Sequence, residues 1–167
     1  KIENNKDSII RIFNRQDLVK EFAINKDGSF QDTLKVKEAA IYNFTTESNR
    51  NVPIFLKNGY NISIKGEASG FLETFVFSGE GSENSNFIIA QIKQNRNLEN
   101  PKNILSLEYV DFQEKLKQIR NTNDSILNSY QNLDSTLFVN VSDQNEQLIS
   151  YYENTYAKNQ VMGKGKP

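Results

Sequence analysis

The sequence predicts an α+β fold: an N-terminal antiparallel β-sandwich of about seven strands over residues 1–81, then three helices over 82–162. The last two helices are expected to form an antiparallel pair. Two observations carry this reading. Before residue 80, short apolar runs with period-2 alternation are separated by turn dipeptides such as Asp27-Gly28 and Asn58-Gly59. From Ser82 onward, apolar residues recur at spacings of three, four and seven instead.

The chain is organised around Asn51 to Asn84. Pro53 to Leu56 is a strongly apolar run, and Asn58-Gly59 follows as a turn pair that tolerates positive φ. Tyr60, Ile62 and Ile64 alternate with Asn61, Ser63 and Lys65, as in a strand with one buried face. A bend at Ser69-Gly70 leads to a strand at Phe75-Val76-Phe77 and a glycine corner, Ser78-Gly79-Glu80-Gly81.

In order from the start, Lys1-Ile2-Glu3 reads as the end of a strand and Ile9 to Phe13 as a second one, with a polar break at Asn14 to Asp17. Leu18 to Ile24 and Ser29 to Val36 flank Asn25-Lys26-Asp27-Gly28 and are expected to pair as a hairpin. Ala39 to Thr46 is a further strand. Ser82 is placed as the N-cap of a helix reaching about Asn97. Leu98 to Asn103 reads as a linker, because Pro101 disfavours helix at Asn100. Ser106 is expected to cap the second helix, with Phe112, Leu116, Ile119, Ile126 and Tyr130 along one face. Ser135 is expected to cap the third, with Phe138, Val141, Leu148, Tyr152 and Tyr156 as its stripe. Gly163 is a stop signal, and residues 163–167 read as a linker.

Composition excludes whole classes of chemistry within this chain. It contains no Cys, His or Trp, so thiol nucleophiles, Cys/His zinc sites and histidine general bases are ruled out. A net charge of −1 argues against nucleic acid or an anionic membrane surface as a partner. No cofactor, metal or catalytic residue is expected.

The weaker constellations read as structure. Asn25 to Asp32 has a passing likeness to a calcium loop, but Ala23 and Leu34 stand where acidic ligands would be needed. Gly79-Glu80-Gly81 lacks the lysine and glycine spacing of a phosphate loop. Glu114, Asp124, Asp143 and Glu146 fit solvated helix faces, and the sequons at Asn43, Asn61, Asn123 and Asn140 carry no localisation signal. Tyr151, Tyr152 and Tyr156 are the candidate ligand or partner contacts, against the plainer reading of a packing stripe.

Three stretches carry a resemblance: DGSF from Asp27, IFLKNGYNISIKG from Ile54 and FVFSGEGSENSNF from Phe75. Their succession resembles an N-terminal domain of unknown function found in envelope thiol-disulfide oxidoreductases of Gram-negative bacteria. In that family a sheet domain and a helical segment precede a thioredoxin-like domain of the alkyl-hydroperoxide-reductase and thiol-specific-antioxidant superfamily. GKGKP from Gly163 looks like the lead-in to such a domain. The resemblance implies a non-catalytic accessory module that positions, dimerises or selects partners for the downstream domain. It implies a periplasmic location, with membrane attachment only through a removed N-terminal anchor. The implied partners are the thioredoxin-like domain of the same polypeptide, a second copy of the chain, or an envelope redox partner. The matching residues are structural, so no catalytic role carries over. The alternative from a different class is a stand-alone β-sandwich that binds carbohydrate or peptide.

Overall fold

The computed structural model describes residues 1–48 and 50–163. The fold is mixed α+β, with seven strands in two sheets and five α-helices among the described residues. The chain forms two compact units. A β-unit comprises Lys1–Ala90 together with Asn132–Asp134, and a helical unit comprises Gln91–Gln131 and the residues from Ser135 onward. Of the linker expected at 163–167, Gly163 still belongs to the last helix, and 164–167 lie outside the described residues.

In the β-unit, β2 (Ile9–Asn14), β3 (Asp17–Ala23), β4 (Ala40–Thr46) and β5 (Asn51–Leu56) form a four-stranded antiparallel sheet in the order β3-β2-β4-β5. The second sheet, β1-β6-β7, joins β1 (Ile2–Glu3), β6 (Asn61–Glu67) and β7 (Val76–Glu80). It is not wholly antiparallel, because β1 runs parallel to β6 with Ile2 opposite Gly66. One core joins residues of both sheets: Ile10, Ile12, Tyr42, Phe44, Val52 and Ile54 from the first, Ile2 and Phe77 from the second. Alternation in the sequence accounts for this inward set, since one face of each strand is apolar.

The structure replaces the expected hairpin around Asp27-Gly28. The hairpin is formed by β2 and β3 across the loop Arg15-Gln16, with Asn14 opposite Asp17 and Arg15 at φ 54°. Residues 24–39 contain no strand, and side chains bond the main-chain groups of several of them. The Asp27 carboxylate accepts from the Ser29 amide at 3.0 Å and its hydroxyl at 2.7 Å. Lys20 donates to the Thr33 carbonyl at 2.6 Å, and the Asn58 side chain bonds both main-chain groups of Val36. Gly28, at φ 79°, offers its carbonyl to the Ile2 amide at 2.8 Å. A Cβ on Gly28 would stand 1.9 Å from the Ile2 carbonyl oxygen, so only glycine fits this crossing.

Asn58-Gly59 turns the chain, but not into a hairpin. The Tyr60 amide bonds the Lys57 carbonyl at 3.2 Å, with positive φ at Gly59 and not at Asn58. That is the sense of a type II turn rather than a primed hairpin turn, and it hands the chain from one sheet to the other.

Among the described residues, four α-helices stand from Ser82 onward where three were expected, and a fifth lies earlier in the chain. The bend after Gly70 is the short helix α1 (Phe71–Thr74), and α2 spans Ser82–Arg96 with Ser82 already helical. The supposed linker contains α3 (Pro101–Leu105): Asn100 caps it by accepting from the Lys102 amide, and Pro101 occupies the first turn. Proline breaks a helix interior but suits this position, where its missing N–H would have no partner. Ser106 closes α3 by donating to the Asn103 carbonyl, and Glu108 is the N-cap residue of α4 (Tyr109–Asn128).

α4 and α5 (Ser135–Gly163) pair antiparallel, since Phe112 meets Tyr156 while Arg120 meets Glu146. Their shared core contains Ile104, Phe112, Leu116, Ile119, Ile149, Tyr152 and Tyr156. Along α5 the buried stripe is Leu137, Val141, Ile149, Tyr152 and Tyr156. Phe138 points outward and Leu148 is half-buried, a rotation of part of the expected face by one residue.

Candidate functional site

The three candidate tyrosines do not share a surface. Tyr152 and Tyr156 are buried, and the Tyr156 ring stacks on Phe112 with centroids 4.0 Å apart while its hydroxyl donates to the Leu107 carbonyl at 3.1 Å. Burial pushes the Tyr152 phenol up, and the neighbouring Tyr151 adds to this. Tyr151 alone is exposed, at 55%. The stripe therefore builds the core of the helical unit, as helical spacing of large apolar groups usually does.

One concavity lies in the β-unit. It is a cleft of about 740 Å³ between the two sheets, within the size range of roughly 300–1,000 Å³ for small-molecule sites. Ile12, Phe22, Phe44, Ile54 and Leu56 of the larger sheet form one apolar wall. Ile62 and Ile64 of β6 form another, and Phe30, Leu34 and Val36 of the strandless segment line the third side. Phe22, Phe30, Phe44 and Phe75 make a continuous aromatic row, with successive centroids 5.9, 5.7 and 6.0 Å apart. The rim is polar: Lys1, Gln31, Asp32, Thr33, Lys57, Asn61, Ser63 and Lys65.

Polar contacts fix the walls. Lys20 pairs with Asp32 at 2.6 Å and holds that carboxyl below its ordinary range, anchoring one end of the strandless segment. The Asn58 amide anchors the other end, accepting from the Val36 amide at 3.0 Å and donating to its carbonyl at 2.8 Å. Behind the corner, the fully buried Asn84 donates to the Gly81 carbonyl at 3.1 Å and accepts from the Asp134 amide at 2.7 Å. Asp134 in turn accepts from Lys57 at 2.7 Å, a bond that raises the Lys57 pKa and keeps it cationic at the rim. The glycine corner packs against this hub, with the Tyr60 ring standing where a Gly81 side chain would be.

Among the described residues, no three acidic, cysteine or histidine side chains come together. Asp27 and Asp32, the acidic members of the calcium-like stretch, are spent on Ser29, Lys20 and Thr33. What the cleft offers is an apolar bed with cationic and amide groups at its edge.

No family model matches the chain, and no curated protein or solved structure matches it either. The cleft escaped sequence reasoning because its walls come from both sheets and from a segment read as a strand. The partial alternation at Ile62 and Ile64 was the one local signal that β6 contributes to it.

Proposed function

We propose that the β-unit is a non-catalytic β-sandwich that binds an elongated apolar ligand in the cleft between its sheets. The carrying observation is the cleft itself, with an aromatic and aliphatic bed pinned by Lys20–Asp32 at one end and Asn58–Val36 at the other. Burying such a surface contributes about 25 cal/mol per Å² of apolar area, enough to bind without covalent chemistry. In a longer polypeptide this activity serves partner selection beside a thioredoxin-like redox domain in the bacterial envelope, the role that the resemblance implies.

Titration with the fluorescent apolar probe 1-anilinonaphthalene-8-sulfonate, followed by two-dimensional NMR, tests the binding reading. Saturable binding with shifts centred on Phe30, Leu34, Ile62 and Ile64 is the expected result. Shifts confined to the helical unit, or no saturable binding, would remove it.

A further inference from the structure

We infer that Asn58 is a site of spontaneous deamidation, and that the reaction frees residues 24–39 from a side chain that fastens them. Asn58-Gly59 is the one Asn-Gly pair in the sequence. Deamidation needs the main-chain nitrogen of the following residue to reach the asparagine side-chain carbon, and glycine has no Cβ to obstruct that approach. The pair sits on an exposed turn, and no atom lies within 4 Å of the place a Gly59 Cβ would take. What restrains the reaction is the clamp on Val36. Asn58 Oδ1 accepts from the Val36 amide at 3.0 Å, and Nδ2 donates to the Val36 carbonyl at 2.8 Å. Both polar atoms of the carboxamide are thus occupied, and turning it toward the Gly59 nitrogen breaks both bonds.

When the clamp opens, the Gly59 nitrogen gives up its proton and attacks Asn58 Cγ. A C–N bond forms, the bond from Cγ to Nδ2 breaks, and that nitrogen leaves as ammonia. Water then opens the cyclic imide at either carbonyl and gives aspartate or isoaspartate, so one water is consumed for each ammonia released. Aspartate keeps an acceptor for the Val36 amide but sets a carboxylate against the Val36 carbonyl. Isoaspartate also lengthens the main chain by one carbon and shortens the side chain, so the fit to Val36 is lost. Residues 24–39 keep other fastenings: Lys20 holds Asp32 and Thr33, and the Tyr42 hydroxyl donates to the Glu38 carbonyl at 3.0 Å. Loosening is therefore centred on Leu34 to Lys37. Leu34 and Val36 line the cleft, so one of its walls slackens whatever occupies it. The change runs one way, because the ammonia is lost to solvent.

The test incubates the folded protein, and the same chain in guanidinium chloride, at mildly alkaline pH. The tryptic peptide from Asn58 to Lys65 is then followed by mass spectrometry with fragmentation. Asn58 should deamidate in both states, about tenfold more slowly in the folded protein, because the clamp must open first. Gly59→Ala, whose fold circular dichroism verifies, should slow the reaction in both. The deamidated folded chain, separated by anion exchange, should exchange its Val36 amide about tenfold faster, with the Phe77 amide unchanged as reference. Asn58→Asp supplies the aspartate product directly and should move the same amide; if that variant does not fold, the separated chain gives the reading. Equal rates in the two states, or no reaction at Asn58 in the folded protein, would overturn the clamped site. A rate unaffected by Gly59→Ala would overturn attack by the Gly59 nitrogen. An unchanged Val36 amide in the deamidated chain would overturn the release.

Discussion

The side-chain amide of Asn86 stands in for a strand beside Phe77. The Phe77 amide donates to Asn86 Oδ1 at 3.1 Å, and Asn86 Nδ2 donates to the Phe77 carbonyl at 2.8 Å. Both main-chain groups of a β7 residue are thereby satisfied by one side chain from the first turn and a half of α2. Asn58 does the same for Val36. An asparagine amide matches the spacing of a peptide group, donor and acceptor together, so it can close an edge that no strand covers.

Asn86→Ala should therefore leave two partly buried main-chain groups without their partner. Each such loss costs about 1–3 kcal/mol where water cannot replace it. Asn86→Asp should also destabilise, because it keeps the acceptor for the Phe77 amide but sets a carboxylate against the Phe77 carbonyl. Urea denaturation at neutral pH checks both variants, and an unchanged midpoint in either contradicts the bridging role.

Gly28 and Gly59 both adopt positive φ, at 79° and 96°, but only Gly28 meets the backbone of another element. Gly59→Ala finds no atom within 4 Å of its new Cβ and should cost only the conformational term, about 1 kcal/mol. Gly28→Ala places its Cβ 1.9 Å from the Ile2 carbonyl oxygen and must displace β1 from its crossing. Its cost should exceed that of Gly59→Ala by a clear margin in paired denaturation curves.

These two glycines show how far the sequence is legible. Turn chemistry located both turns, and alternation located β2, β3, β4 and β6 within a residue or so. What the turns connect was not local information. Asp27-Gly28 looked more like a hairpin than Arg15-Gln16, because Arg15 lacks the residue type that favours positive φ, and strand pairing imposed it there. The strandless segment kept apolar spacing at Phe30, Leu34 and Val36 because it lines the cleft, not because it pairs. The tyrosines of α5 followed the helical period correctly, and that period already favoured a core over a ligand platform.

Acid should weaken the β-unit through Asp7. Burial pushes its carboxyl up, but hydrogen bonds from Ser48 and Thr46 and the Arg50 charge outweigh it, so the folded pKa lies below the ordinary value. The Ser48 hydroxyl donates to Asp7 Oδ2 at 2.6 Å. A depressed folded pKa means that the unfolded chain takes up the proton first. The contribution is thus fully present above the unfolded value of about 3.9 and is lost as pH falls through the folded one. Asp7→Asn should lower stability at pH 7 and narrow its difference from the parent at pH 2–3. A constant difference across that range would show that ionisation of Asp7 is not the source.

Leu116 and Leu148 separate full from partial burial in the helical unit. Leu116 is 4% exposed in the core with Phe112, Ile119 and Tyr152, whereas Leu148 is half-buried and packs against the border of that cluster. Leu116→Ala removes transfer energy and leaves a cavity, at a cost of about 2–5 kcal/mol. Leu148→Ala removes side-chain atoms that are already partly hydrated, so little cavity remains and the loss should be smaller. The neighbouring Ile149, at 3% exposure, reverses the order along α5: Ile149→Ala should cost more than Leu148→Ala. Thermal or urea unfolding followed by the helical circular dichroism signal checks the sequence of effects. Equal losses at positions 148 and 149 would mean that α5 presents a different face to α4 from the one that Tyr152 and Tyr156 define.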